Sequence, residues 1–385
     1  MNDELAGVKP VGIGLIGAGR FGRFACQAYR QLPLVKLVAV ADIHPHIAQE
    51  AAAQLQAQAE PSIESLLARE EVELVYIAAP PFLHYPLAAQ ALQAGKHVLV
   101  EKPLATTLDD ADALIQLAGQ QQRVLAVNLM MRYDPLCQAV RQIIEQRLLG
   151  EPLHGFFENC AKDEHLPPDH WFWDQRLSGG IFVEHSVHFF DLLRWWLGTG
   201  RVVAAQQIQR PGTSFVDQVQ CTVLYQGAVL VNLYHGFTQA QRMDRQEMRI
   251  LLERGELRLL EWVPTSLHID ALADEDTLAA IQKLLPQARI STVASYSGQD
   301  QQVYSRHKSY RVSGRYRIEA DTGMDKPQLY EHILRSLMAD QAAAVRNPRR
   351  QRQVTEENGY HSLFDAVAAT RLAQDFAAAA PVSAA

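Results

Sequence analysis

Val11-Gly12-Ile13-Gly14-Leu15-Ile16 runs directly into Gly17-Ala18-Gly19-Arg20-Phe21-Gly22, an apolar strand delivered into a G-x-G-x-x-G turn that opens a helical segment. Each glycine has a mechanical task at such a junction. Gly17 permits the tight turn, Gly19 lets a pyrophosphate approach the backbone, and Gly22 lets the helix close on the sheet. The helix N-terminus then offers free N–H groups and a partial positive charge. Glycines used only for a sharp bend are the plainer explanation, but the strand before, the helix after and an acid at the right distance favour a dinucleotide site.

That acid is Asp42, twenty residues past Gly22 and at the end of the next apolar run, Val35 to Ala41. It can accept both ribose hydroxyls of NAD and would repel the extra phosphate of NADP. NAD is therefore the expected cofactor, with NADP kept open because Arg20, His44 and His46 are cations or potential cations beside it.

Outward from this junction, short apolar runs alternate with longer alanine-rich segments as far as Asn128. This is the rhythm of strands and crossover helices in a parallel sheet. Strands are expected at Val11 to Ile16, Val35 to Ala41, Leu74 to Ala79, Val98 to Val100 and Val124 to Val127. Helices are expected at Ala48 to Gln58, His84 to Ala94 and Leu108 to Gln120. A helix from Pro135 to about Arg147 then leads past Gly150 into runs that no longer alternate with helices: Val202 to Gln209, Val219 to Tyr225, Val229 to His235, Met248 to Glu253 and Leu257 to Val263. Gln226-Gly227 and Arg254-Gly255 read as hairpin turns between neighbours. Residues 284–323 are polar and give no clear element, which suggests an excursion over a substrate cleft. Helices from Lys326 to Asp340 and Glu356 to Phe376 close the chain. The expected fold is α/β: an N-terminal Rossmann parallel sheet over 1–128, and over 129–385 a substrate-binding and oligomerisation domain built on a large open, mainly antiparallel sheet. The C-terminal helix is expected to pack back on the first domain.

With 385 residues, 48% of them hydrophobic and 21% charged, two domains are the natural expectation. A formal charge of −7 gives no general attraction to nucleic acid or anionic lipid. The basic run Arg346 to Arg352 has no interleaved aromatics and reads as a solvated loop. The first ten residues do not resemble a signal peptide, and no stretch reaches the ~18 apolar residues of a membrane span. A cytoplasmic location is expected, with no membrane or nucleic-acid partner. Cys26, Cys137, Cys160 and Cys221 lie far apart and read as reduced thiols.

Two further stretches carry chemistry. Gly95-Lys96-His97-Val98-Leu99-Val100-Glu101-Lys102-Pro103 puts a lysine at the carboxyl end of a parallel strand, the edge where open α/β sheets bind ligands. In Gly179-Gly180-Ile181-Phe182-Val183-Glu184-His185-Ser186-Val187-His188-Phe189-Phe190-Asp191, a helical spacing puts Glu184, His188 and Asp191 on one face of an otherwise apolar segment. A buried, mutually satisfied polar network is the plainer alternative. Metal binding through Glu184, His185 and His188 is disfavoured, because the order does not match the His-Glu-x-x-His zinc helix, and no metal is expected. Upstream, His165, His170, Trp171, Trp173 and Asp174 offer aromatic faces and polar groups to a sugar, or else the tryptophans are core.

Taken together, the glycine loop, Pro80-Pro81 with His84, Ala94-Gly95-Lys96-His97-Val98, Glu101-Lys102-Pro103, Arg132-Tyr133-Asp134-Pro135 and Gly179-Gly180 leading to His188-x-x-Asp191 resemble the Gfo/Idh/MocA oxidoreductases over nearly the whole chain. The resemblance implies hydride transfer between NAD(P) and a hydroxyl or keto carbon of a sugar, inositol or related polyol, with Lys102 and His188 as the catalytic pair. Many members carry Asp where this chain has Glu184, and Gly where it has Ser186. Around the cofactor we expect Gly17, Gly19, Arg20, Phe21, Gly22, Asp42, Pro80, His84, Glu101 and Lys102. Glu184 is the third expected member of the catalytic site, and Arg132, Trp171, Trp173, Asp174, His185 and Asp191 are expected at the substrate. A His188 pKa near working pH suits a base, lowered by Lys102 and raised by Glu184. Family relatives that cleave glycosides by transient oxidation, or that bind nucleotide only to regulate, are the alternatives. The expected assembly is a homodimer or homotetramer.

Overall fold

The computed structural model describes residues 9–379. Six parallel strands form the first sheet: β1 (Val11–Ile16), β2 (Val35–Ala41), β3 (Gln58–Ala59), β4 (Leu74–Ile77), β5 (His97–Val100) and β6 (Leu125–Val127). Between them run α1 (Arg20–Tyr29), α2 (Pro45–Leu55), α3 (Ile63–Ala68), α4 (His84–Gln93) and α5 (Leu108–Gln121). Their spatial order is β3-β2-β1-β4-β5-β6, the doubly wound arrangement in which the strand order reverses between β1 and β4. Every residue of β1 and of β4 is buried, so both faces of these strands are covered, as continuous apolar runs require.

Two elements here escape the periodicity. The alanine-rich repeat of α2 points to a helix continuing to Gln58, but Gln56 adopts a left-handed conformation with φ 55° and reverses the chain. Gln58–Ala59 then pair with Ala39–Val40 as β3. The short helix α3 owes its start to Ser62 and Ser65, whose side chains each accept from the other's backbone N–H, a reciprocal cap.

After β6 come α6 (Pro135–Glu145), β7 (Pro152–Lys162), the single turn α7 (Gln175–Ser178), and α8 (Val187–Leu197), which continues a wide π-helical turn at Phe182–Ser186. The remaining strands are β8 (Gly200–Gln209), β9 (Val216–Tyr225), β10 (Val229–Gln239), β11 (Arg245–Leu252), β12 (Gly255–Leu260), β13 (Ser266–Ala273), β14 (Arg289–Ser295), β15 (Gln302–Ser305), β16 (Lys308–Arg311) and β17 (Gly314–Asp321). With them run α9 (Glu275–Leu284), α10 (Lys326–Arg346) and α11 (Glu356–Ala379). Nine of these strands make one sheet ordered β14-β17-β13-β12-β11-β7-β10-β9-β8. All its neighbours are antiparallel except β7 and β10. The hairpins expected at Gln226-Gly227 and Arg254-Gly255 join β9 to β10 and β11 to β12.

Residues 284–323 are not an excursion. They supply β14 and β17, which extend the sheet beyond β13, and the separate β15–β16 hairpin. On β17 the polarity is that of one face only. Arg315, Arg317 and Glu319 alternate with Gly314, Ile318 and Ala320, and the latter three are buried. The same alternation runs through β9 and β13. On β9 and β10, Val219, Cys221, Val223, Val231 and Leu233 are buried. The opposite face carries Gln220, Thr222, Asn232 and Tyr234, with Leu224 and Leu230 as its apolar members, so it is mixed rather than apolar.

By contact density the chain forms two compact units. One comprises the chain up to Tyr133, Asp169–Asp191 and Tyr330–Val367; the other comprises Asp134–Pro168, Leu192–Leu329 and the chain from Ala368. The second unit contains the whole nine-stranded sheet.

Ile318 is fully buried and pairs across the sheet with Ile269 and Ile290. Ile318→Ala should therefore destabilise the protein by about 2–5 kcal/mol, the range for a buried aliphatic truncation. A loss of unfolding free energy in urea smaller than about 0.5 kcal/mol would be the behaviour of a surface excursion instead.

Candidate functional site

The glycine loop is built as its sequence demands. Gly17 has φ 89°, and a Cβ there would stand 2.5 Å from the Ala78 carbonyl oxygen, so only glycine lets the end of β1 pass the end of β4. At Gly19 a Cβ would meet nothing within 4 Å; its outer side is open. Helix α1 begins there with no side-chain cap and no acidic residue in its first turn, leaving its N–H groups and positive end to an incoming anion. Gly19 and Arg20 are exposed, while Gly22 is buried. Phe21 leans on Phe24 and Tyr330, with ring centroids 6.2 and 6.0 Å away. Asp42 follows β2, its two carboxylate oxygens accepting the N–H groups of Ala18 at 2.8 Å and His44 at 2.9 Å. These bonds fix the carboxylate beside the glycine loop and leave lone pairs for further donors. The cradle fits a dinucleotide.

At the carboxyl end of β5, Lys102 precedes Pro103 through a cis peptide bond. His84 is fully buried between the Pro103 and Ala79 carbonyls, with its nitrogens 2.6 and 2.9 Å from them. Burial pushes its pKa down, and a neutral ring donates to one of the two. His84 thereby sits between this turn and the end of β4, bonded to one of them, while Pro80 is half-buried beside it. Glu101 Oε1 accepts from Tyr76 Oη at 2.5 Å and from Asn128 Nδ2 at 2.7 Å, so one carboxylate links β4, β5 and the end of β6. Burial raises its pKa, and those two donors with Lys102 pull it back.

Lys102 Nζ donates to the Glu184 carboxylate at 2.5 Å and to the Glu184 backbone carbonyl at 2.7 Å. Both side chains are largely buried, at 18% and 11% exposure. Glu184 lies in the π-helical turn and His188 in the first turn of α8, itself buried. Burial first, then the Lys102 charge, lowers the His188 pKa to about 3. The expectation that Glu184 would lift it toward neutrality is corrected: that carboxylate spends its charge on Lys102, and desolvation dominates. The imidazole is thus uncharged.

The residues expected at the substrate divide. Trp171 is half-buried with its ring 5.1 Å from His170 and 6.2 Å from Phe172, and Trp173 is buried edge-on to Phe172. Asp174 caps α7 and pairs with Arg176 at 2.6 Å; the Arg176 bond holds its pKa low. His185 is half-buried on the π-helical turn. Arg132 and Asp191 are engaged with each other through two bonds of 2.8 and 2.7 Å. Sequence reasoning missed Tyr76 and Asn128, although Asn128 follows an apolar strand on the ligand-binding edge, a signal that was available. Among the described residues no group of three or more His, Cys, Asp or Glu is arranged to hold a metal ion, and no helix is long and apolar enough to cross a membrane.

Residues 11–129 match the model of an oxidoreductase family with an NAD-binding Rossmann fold, and residues 137–258 match the GFO/IDH/MocA C-terminal domain. UDP-N-acetylglucosamine 3-dehydrogenase from Acidithiobacillus ferrooxidans is 41% identical over 256 residues, 66% of this chain and 75% of that protein. Inositol 2-dehydrogenase from Rhizobium meliloti is 30% identical over 188 residues, 49% of this chain and 55% of that one. Coverage of such relatives is uneven: the chain spans 39% of the length of an uncharacterised Synechocystis oxidoreductase and 78% of a Saccharopolyspora spinosa sugar reductase. Among solved structures, levoglucosan dehydrogenase in complex with NADH and L-sorbose superposes with a TM-score of 0.76 at 19% identity, over 95% of this chain and 97% of that one. That likeness establishes the fold.

Buried histidines make stability depend on pH in a defined sense. His188 and His235 are lowered to about 3 and His97 to about 4, in each case chiefly by burial. Each folded pKa lies below the unfolded value near 6.5, so each contribution is fully present above about pH 6.5 and is lost as pH falls toward the folded pKa. The loss is up to ~1.4 kcal/mol per pH unit per histidine. Unfolding free energies at pH 7.5, 6 and 5, compared with those of His188→Gln so that other titrating groups cancel, should show a flatter slope in the variant. Parallel slopes would mean that His188 takes up its proton in the folded state.

Proposed function

The chain belongs to the Gfo/Idh/MocA family of oxidoreductases, with its NAD-binding Rossmann domain and C-terminal domain, and from that premise we propose that it transfers a hydride between NAD and a secondary hydroxyl or ketone of a sugar, inositol or related polyol. The observation that carries this is the Lys102 ammonium held 2.5 Å from the Glu184 carboxylate, with the neutral His188 in the next helical turn. Asp42, standing where a ribose 2′-hydroxyl would be met, favours NAD over NADP.

The residues divide the work. The first turn of α1 and the open side of Gly19 bind the pyrophosphate, and Asp42 takes the adenosine ribose. The nicotinamide, when bound, accepts or supplies the hydride. A substrate hydroxyl set between Lys102 and His188 meets a cation that stabilises developing negative charge on its oxygen and an uncharged imidazole that takes its proton as departure of the hydride makes the hydroxyl strongly acidic, which a weak base can match. Glu184 holds Lys102 in place; its longer side chain reaches the ammonium directly. Glu101, fixed by Tyr76 and Asn128, holds the backbone beside Lys102. Trp171 offers a ring face against the apolar side of a sugar. The 41% identical relative, a UDP-N-acetylglucosamine 3-dehydrogenase, makes a pyranose ring hydroxyl the first substrate to try.

A panel of pyranoses, nucleotide-linked sugars, inositols and their keto forms, followed at the NADH absorbance band, tests this function. Stoichiometric cofactor turnover with one of them is the expected result, and silence across the panel would overturn it. With that substrate, Lys102→Met should lower turnover at least about a hundredfold and leave NADH affinity nearly unchanged, because it removes a transition-state cation rather than a phosphate contact.

Self-association belongs to the same proposal. On the open face of the nine-stranded sheet Leu224 pairs with Leu230, and His154 lies between Leu230 and Leu251. Leu230 and Leu251 are exposed at 45% and 41%. Light scattering at micromolar concentration should give at least a dimer mass, and Leu230→Glu with Leu251→Glu should lower it; a monomeric parent protein would refute the assembly.

A further inference from the structure

We infer that Arg132 and Asp191 are a positioning pair for Lys102, Glu184 and His188, not substrate contacts. The pair is bidentate: Arg132 Nε and Nη2 meet the two Asp191 oxygens at 2.8 and 2.7 Å. Its side chains are 8% and 3% exposed. A third donor, Arg132 Nη1, reaches the Gln353 carbonyl at 3.3 Å, and the Gln353 side-chain amide donates back to the Arg132 carbonyl. A guanidinium fork matched this way to one carboxylate is spent.

What the pair connects gives it a role in the chemistry. Arg132 lies in the short turn Met130–Tyr133 after β6, four residues beyond Asn128, which holds Glu101 next to Lys102. Asp191 lies three residues beyond His188 and seven beyond Glu184, which accepts from Lys102. The links therefore close a ring: Lys102, Glu101, Asn128, the turn to Arg132, Asp191, helix α8 back through His188 to Glu184, and Lys102 again. Outside the ring, Tyr133 Oη and the Gln353 N–H both donate to Asp340 Oδ2, at 2.7 and 2.8 Å, anchoring the Arg132 turn to α10. Without the fork, helix α8 can shift along its axis relative to β5. A shift on the order of 1 Å between ammonium and imidazole is enough to misplace a reacting hydroxyl and cost about a hundredfold.

This assignment rests on the hydride transfer proposed above, and the test separates the two. Arg132→Lys keeps the buried charge but removes the fork, and Asp191→Asn keeps the shape but removes the anion. For both, with the substrate found by the panel, we expect NADH affinity and KM within about threefold of the parent and kcat lowered at least about tenfold, with the acid limb of its pH profile displaced. In Arg132→Ala, guanidinium at millimolar concentration should restore part of kcat. A KM raised tenfold or more with kcat intact would make Arg132 a substrate ligand and overturn the inference, as would kcat and its pH profile both unchanged in both variants. If the parent protein turns over none of the panel, the proposed function fails, yet the pair is still testable. The His188 imidazole proton resonance, assigned by its disappearance in His188→Gln, should move in Arg132→Lys and Asp191→Asn, and an unmoved resonance in both overturns the positioning role.

Discussion

The Ala78 carbonyl oxygen stands 2.5 Å from where a Cβ on Gly17 would be, and much of the first unit follows from that close approach. Strands β1 and β4 are neighbours whose connections leave in opposite directions, so their carboxyl ends diverge into a crevice. A side chain at Gly17 would hold them apart. With hydrogen there, α1 begins at the mouth of the crevice with uncapped N–H groups, and Asp42 arrives from β2 to accept the Ala18 N–H at 2.8 Å. The same edge carries Glu101 and Lys102 at the end of β5 and Asn128 at the end of β6. One steric constraint therefore sets where an anion can bind and which strand ends surround it.

Charge in the site is organised by pairing rather than by exposure. Lys102 and Glu184 neutralise each other, Arg132 and Asp191 do the same, and His188 stays uncharged because burial and the Lys102 charge both lower its pKa. Buried ions are tolerated only when matched and hydrogen-bonded, which makes the geometry of this region stiff. Stiffness suits the hydride transfer proposed above, whose rate would depend on holding a hydroxyl between two groups with little freedom.

The second unit solves a different problem. A nine-stranded sheet with one buried face needs strict alternation, and β9, β13 and β17 show it down to single residues. Its open face is a cross-strand array of charges, with Glu247 at 3.1 Å from Arg258 and Asp270 at 2.8 Å from Arg315, together with the leucines near β10. Such ladders keep a wide face soluble and fix register. They also disguise strands as loops, most of all β17, where four of eight residues are charged.

Local pattern by itself determined the parallel sheet, the glycine loop with Asp42, Lys102 at a strand end and the Glu184, His188 and Asp191 spacing, because each depends on sequence-near geometry: a strand's reach, a turn's φ, a helix's period. The hairpins at Gln226-Gly227 and Arg254-Gly255 were legible for the same reason. Tertiary structure alone decided the rest. The strands in 284–323 are strands because Ile318 finds Ile269 and Ile290, partners far away in the chain. The His188 pKa falls because the fold removes water from it, which no spacing encodes. Arg132 is half of a buried pair because Asp191, 59 residues away, arrives within 2.7 Å. Residue type and spacing decide which groups are available and on which element; only packing decides which of them meet and how far water is removed from them when they do.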